Sequence, residues 1–174
     1  MSVVSLDRRA ALSAALAFAA TGCSRALRPT FSTPKESEAM VIESRPLLTL
    51  SLTTAPTQDL GSTPHGTRLI FPVTGGHFEG ERLRGTVLAG GVDWVLRRPD
   101  GALELDLRVS LQTDDDALIH LTFTGLRDDA HAYFHTLPRF ETAAPKYTFL
   151  NRLLAVGTGV LRDGAPVHVI DEVC

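Results

Sequence analysis

The sequence predicts an all-β domain built from short antiparallel strands, closed into a sandwich or a barrel. Three observations carry this. From Gly75 to Gly125, apolar and polar residues alternate with period two. Glycine pairs and Asp-Gly steps break that alternation at short intervals, as hairpin turns do. With 44% hydrophobic residues in 174 positions, the chain has enough apolar surface for one sizeable core and no need of a second.

Ahead of that domain the chain reads as a targeting segment. Residues 1–22 run from a polar start with Arg8 and Arg9, through an Ala- and Leu-rich stretch from Ala10, to Gly22 and Cys23. That order is the n-region, h-region and small-residue cleavage site of a bacterial export signal. The apolar stretch is too short to span a bilayer. The arginine pair resembles a twin-arginine signal. Gly22 and Cys23 resemble a lipoprotein cleavage box, although Ala20 stands where such boxes usually carry Leu. Export to the periplasm or cell envelope is expected, with Cys23 the candidate for lipidation and any membrane contact made only through that lipid. Residues 23–45, rich in Ser, Thr, Pro and charge, read as a flexible tether. The folded domain is expected over residues 46–174.

Its elements follow in order. Leu47 to Thr54 is strand-like. Thr67 to Val73 is a second strand, with a turn expected at Thr74-Gly75-Gly76 before His77 to Glu79. Leu83 to Leu88 follows, then Val92 to Arg97 after the Gly90-Gly91 turn. Arg98-Pro99-Asp100-Gly101 is a strong hairpin signal, because Pro presets the first central residue and Gly accepts a positive φ. Ala102 to Gln112 is the longest regular strand, and Thr113 to Asp116 turns it into Ala117 to Thr124. Residues 125–137 read as a polar loop with room for one helical turn, Arg139 to Thr142 as a short strand, and Tyr147 to Leu161 as helix or strand. Asp163-Gly164 turns into Val167 to Val173. Roughly nine or ten strands with short connections make a sandwich or barrel, and closure removes exposed sheet edges.

Several function classes are disfavoured. The net charge is -3 and no long basic run exists, so a nucleic-acid partner is not expected. No CxxC, HExxH or P-loop occurs, and no metal or cofactor is expected. The glycine pairs lead into strands and lack the helix N-terminus of a phosphate cradle. Asp114, Asp115 and Asp116 are read as a hairpin turn in preference to a calcium site. His131 and His135 have a metal-like spacing only if helical, and His120 lies on a strand where it can line a pocket.

The strand Leu103 to Gln112 separates two rows. Leu103, Leu105, Leu107, Val109 and Leu111 point one way; Glu104, Asp106, Arg108, Ser110 and Gln112 point the other. The simpler reading makes the Leu row the core and the charged row solvated. A lumen lined by the charged row is the alternative. Register decides the neighbours of Arg108. A three-residue loop sets Trp94 opposite Asp106, with Arg108 diagonal to Trp94 for a cation–π contact. A two-residue loop brings Asp93 to Asp106 and Arg108 instead.

These motifs together resemble a known family. GG-x-F-x-G, G-x-V, then GG-x-D-W, the Pro-Asp-Gly turn, L-D-x-R and T-x-D, followed by Pro138-Arg139-Phe140-Glu141-Thr142, Pro145-Lys146-Tyr147 and Leu150-Asn151, are similar to the bacterial and fungal family catalogued as domain of unknown function 3237. The resemblance covers about residues 46–173. It implies a single lipocalin-like antiparallel β-barrel of roughly 8–10 strands, often a homodimer, with no established activity. Where the family usually has Asp-Gly, this chain has Asp115-Asp116. Within such a barrel the expected function is binding of a small molecule. Arg108 would hold an anionic or carbonyl group and Trp94 would stack; Asp93, Tyr147 and Asn151 would supply hydrogen bonds. The alternatives are acid–base catalysis of the isomerase, cyclase or lyase type in the same cavity, with Asp93 or Asp106 as base, and a structural or partner-binding envelope module.

Overall fold

The computed structural model describes residues 42–174. The expected export signal, the greater part of the tether and the lipidation candidate Cys23 lie outside them. The strands are β1 (Ser44–Thr54), β2 (Gln58–Thr63), β3 (Gly66–Glu79), β4 (Arg84–Val87), β5 (Val92–Arg97), β6 (Leu103–Thr113), β7 (Leu118–Asp128), β8 (Tyr133–Glu141), β9 (Ala155–Arg162) and β10 (Ala165–Val173). Neighbours run antiparallel from β1 through β10, β9, β8, β7 and β6 to β3, and β1 pairs with β3 to close the ring. β4 and β5 lie end to end between β3 and β6 and share one stave. β2 prolongs the stave of β1 along the other side of β3. The result is a closed antiparallel barrel, as the family resemblance implied.

The strand pattern decides what fills it. On β6 the Leu row is buried and the charged row is outside, and Leu107 and Leu111 have no exposed surface. Leu50, Phe78, Ile119, Leu121, Phe123 and Ile170 complete one continuous core. The simpler of the two readings of this strand therefore holds.

Four local expectations are corrected. β1 begins at Ser44, inside the expected tether, because Arg45 pairs with Glu172 across the β1–β10 ladder at 3.1 Å. Thr74-Gly75-Gly76 is not a turn: β3 runs straight through it. There β3 gains β1 as a partner, and a Cβ on Gly76 would stand 2.1 Å from the Ser51 carbonyl oxygen. The glycine permits a close crossing and does not reverse the chain. Residues 125–137 are not a loop: β7 continues to Asp128 and β8 starts at Tyr133, joined by a short 3-10 turn at Asp129–His131. The segment looks polar because its outer row faces water, while Phe134 and Thr136 point inward. Tyr147 to Leu161 divides into a 3-10 segment, Pro145–Arg152, and strand β9.

That 3-10 segment plugs one end of the barrel. Tyr147 and Leu150 are buried, and Phe149 packs against the core. Asp115, in the turn after β6, accepts hydrogen bonds from Tyr147 Oη (2.7 Å), Thr113 Oγ1 (2.6 Å) and Lys146 Nζ (2.6 Å). Asp116 takes the left-handed conformation, φ 63°, that the family's usual glycine would take freely; Asp tolerates it.

Candidate functional site

The other end of the barrel holds a cavity of about 160 Å³. Its apolar wall includes Leu52, Phe71, Val95, Leu105 and Phe134. At its mouth stand Thr54 at the end of β1, Leu103 at the start of β6, and Leu161, Gly164 and Pro166 around the β9–β10 turn. Three side chains in the lining bring chemistry: Asp93, His168 and Arg127.

Asp93 enters because of register. Asp93 pairs with Leu107, Arg97 with Leu103, and the Arg98 N–H donates to the Ala102 carbonyl at 2.8 Å. This is the register of the three-residue loop. It turns Asp93 inward beside Leu107 and Phe71, and turns Trp94 outward. Asp93 Oδ1 accepts one hydrogen bond, from the Asp106 backbone N–H at 3.2 Å. Burial pushes the carboxyl up to about 6; that N–H opposes the rise and the charge of Asp106 adds to it. A carboxyl near 6 exchanges its proton close to neutral pH.

His168 is 2% exposed, on β10 opposite Leu50 and Gly159. Its ring packs against Phe123 (4.8 Å between centroids) and edge-on to Phe134 (5.2 Å). Gly159 makes this packing feasible, since a Cβ there would lie 2.6 Å from the Phe134 ring. Burial holds the imidazole down at about 4, so it is neutral at pH 7. Its Nδ1 is fully buried and has no hydrogen-bond partner among the described residues. An orphaned buried polar atom costs about 1–3 kcal/mol. Arg127 stands at the mouth, clamped by Asp129 through Nε (2.7 Å) and Nη2 (2.8 Å), with its guanidinium 5.5 Å from the Phe134 ring centroid.

The six residues expected to form one site are not gathered in it. Only Asp93 lines the cavity. Trp94 is 44% exposed on the outer wall. Asp106 and Arg108 also face outward, paired with each other at 3.5 Å, and the Arg108 side chain is 67% exposed. The cation–π contacts among the described residues are Arg82 on Phe149, Arg127 on Phe134 and Lys146 on Tyr147; Arg108 on Trp94 is not one of them. Tyr147 and Asn151 belong to the plugged end. Asn151 holds Thr142 by both its N–H and its carbonyl, each at 2.8 Å. Trp94 and Asp106 instead border an outer groove of about 840 Å³ with Arg68, Tyr133, Leu137 and Val156. His120 is exposed, and His131 bonds Asp128 at 2.7 Å.

The sequence reading missed His168 and Arg127. Strict alternation over Val167-His168-Val169 points His168 outward, and Arg127 fell in the segment read as a loop.

Comparison with known proteins agrees with the fold. The family described as protein of unknown function (DUF3237) matches residues 42–173. UPF0311 protein RPA1785 of Rhodopseudomonas palustris is 31% identical over 133 residues, 67% of this chain and 87% of that protein. A hydroalkoxylation enzyme of Penicillium herquei, phnH, is 30% identical over 112 residues, 64% of this chain and 70% of the enzyme. Among solved structures, a β-barrel-like protein of Acinetobacter baumannii superposes with a TM-score of 0.73 at 32% identity, covering 83% of this chain and 99% of that one. The structure of an enzyme from Penicillium herquei gives 0.68 at 25% identity, covering 79% and 98%. This chain belongs to the DUF3237 family of β-barrel proteins.

Proposed function

We propose that the barrel interior binds a small oxygenated, unsaturated molecule and that Asp93 transfers protons to and from it. The observation that carries this is a carboxyl held near 6 inside an apolar cavity, the condition a general acid–base needs at neutral pH. His168 adds a neutral, buried imidazole to the lining, beside Phe134. A cavity of about 160 Å³ takes a ring-sized fragment, as apolar cavities of about 150 Å³ hold benzene, and leaves the remainder of the molecule at the mouth. The name of the Penicillium herquei relative supports the reaction class: addition of a hydroxyl across a carbon–carbon double bond. Protonated Asp93 gives its proton to one alkene carbon. The substrate's own hydroxyl oxygen bonds to the other, and the hydroxyl proton returns to the Asp93 carboxylate. Nothing is oxidised or lost.

The test is cyclisation of 2-allylphenol-type substrates, followed by the loss of alkene signals in NMR. The wild type is expected to turn over with a pH profile that bends near 6. Asp93→Asn is expected to lose roughly 10²-fold or more, the usual contribution of a general acid–base. An undiminished rate in Asp93→Asn would refute the reading.

Location and assembly rest on other features. Residues 1–23 support export and lipid attachment at Cys23; wild-type protein whose Cys23 carries no lipid by intact-mass spectrometry, or a Cys23→Ser variant processed and fractionating as the wild type does, would count against the anchor. Exposed Trp94, Tyr133, Leu137 and Val156 along the outer groove support a homodimer through that face. A purely monomeric species in sedimentation at micromolar concentration would exclude it.

A further inference from the structure

Among the described residues, Arg127 is the one cationic side chain in the cavity lining, since His168 is held neutral. It lies near the end of β7, at the mouth, and its side chain is 22% exposed. A guanidinium carries five N–H donors in a rigid fork. Asp129 takes two of them, and Asp129 is 71% exposed and not part of the cavity wall. The clamp and the Phe134 ring therefore fix the plane of the guanidinium and leave three donors without a partner among the described residues, on a side chain that lines the cavity. Deeper in the cavity the only other charge among the described residues is that of the Asp93 carboxyl, which repels an anion there. The cavity is thus polarised along its length: cation at the rim, carboxyl inside, apolar wall between.

We propose that Arg127 selects substrates bearing an anionic oxygen group, a carboxylate or a phenolate, and holds that group at the mouth so that the neutral, unsaturated part of the molecule enters toward Asp93. This deepens the interior-site reading and rests on it. An Arg–oxyanion contact is charge-assisted and directional, so it fixes which end of the molecule goes in first.

Three probes of similar size test it on the full chain at pH 7: 4-nitrophenol, benzoate, and neutral 4-nitroanisole. Binding is read by NMR shifts of the His168 ring and, for 4-nitrophenol, by the phenolate absorbance band. The wild type is expected to bind at least one anion roughly tenfold or more tighter than 4-nitroanisole, the scale of a hydrogen bond to a charged group. If the anion is 4-nitrophenolate, its absorbance titration moves to lower pH on binding. Arg127→Gln should lose that preference, with anion binding falling roughly tenfold more than 4-nitroanisole binding. Arg127→Lys should keep part of it. Asp129→Asn, which frees the guanidinium from its clamp, should strengthen anion binding. Benzoate and 4-nitrophenol then tell carboxylate from phenolate recognition. Equal binding of anion and 4-nitroanisole by the wild type, or an intact anion preference in Arg127→Gln, overturns the role of Arg127 while leaving the interior site standing. Failure of all three probes to move the His168 signals overturns the interior site itself, and the role of Arg127 with it.

Discussion

The two ends of the barrel treat their polar side chains in opposite ways. At the plugged end Asp115 collects three donors, and Asn151 satisfies both polar atoms of the Thr142 backbone. Those contacts hold Asp115 well below the ordinary carboxylate range, the Lys146 ammonium acting most strongly. At the cavity end a carboxyl is raised, an imidazole is depressed, and both by burial. The two buried side-chain polar atoms without a partner among the described residues, His168 Nδ1 and Thr136 Oγ1, lie in this half. Thr136 stands level with the cavity residue Leu105 through Gly125. Polar groups that serve the fold are satisfied within the chain, and those left without a partner lie in the half where the ligand is proposed to bind.

Substitution at the plugged end sharpens the contrast most. Tyr147 is buried with its hydroxyl bonded to Asp115. Tyr147→Ala removes a large core side chain and is expected to cost about 3–5 kcal/mol, by the usual scale for aromatic deletions. Denaturant unfolding measures this. Binding of 4-nitroanisole by the protein that remains folded should be unchanged. Loss of binding in excess of the loss of folded protein would mean that the two ends are not separate.

At the cavity end the same logic predicts stabilisation. The carboxyl of Asp93 sits at about 6 instead of its ordinary 3.8. Its penalty is absent below 3.8, grows as pH rises, and is complete above about 6, where linkage puts it at about 3 kcal/mol. Asp93→Asn should therefore stabilise the fold by up to that amount at pH 7 and by nothing at pH 3. Unfolding midpoints measured at the two pH values check this, and a gain of equal size at both would show that the carboxyl is not the cause.

His168 carries the opposite sign. Its imidazole is depressed from 6.5 to about 4, so the unfolded chain binds the proton first and stability falls as pH drops through this window. His168→Leu removes that loss, which is worth about 2 kcal/mol at pH 5 and little at pH 7. The wild type thus balances two opposed slopes between pH 4 and 6, and each variant should expose the other. A flat pH response in Asp93→Asn would contradict the burial of His168.

Much of the barrel was legible because period-two alternation and turn chemistry are local. The Pro99-Asp100-Gly101 turn was legible but left two registers open, and the folded chain takes the three-residue one, which turns Asp93 inward. The site was less legible because the outer wall is also apolar in places. Val169 is 39% exposed and Val160 is 39% exposed, so hydrophobicity alone does not say which face is in. His168 is inward through the pairing of β10 with both β1 and β9, a long-range fact. Arg127 was hidden by the polar outer row of β7 and β8. Tyr147 and Asn151 stood out in the sequence for chemical types that suit a ligand, yet their partners are Asp115 and Thr142, which only the folded chain brings near.

Arg108 gives the smallest expected effect and the sharpest discrimination between the two walls of the barrel. It is exposed, and its partner Asp106 is 3.5 Å away and itself 44% exposed. Exposed pairs of this kind contribute little, and surface substitutions away from special features usually stay within about 0.5 kcal/mol. Arg108→Ala should leave the unfolding midpoint and the binding of all three probes unchanged. If it instead abolishes binding while His168 and Asp93 variants do not, the ligand lies on the outer wall beside Trp94, and the orphaned groups inside the barrel are a cost of packing with no ligand to relieve it.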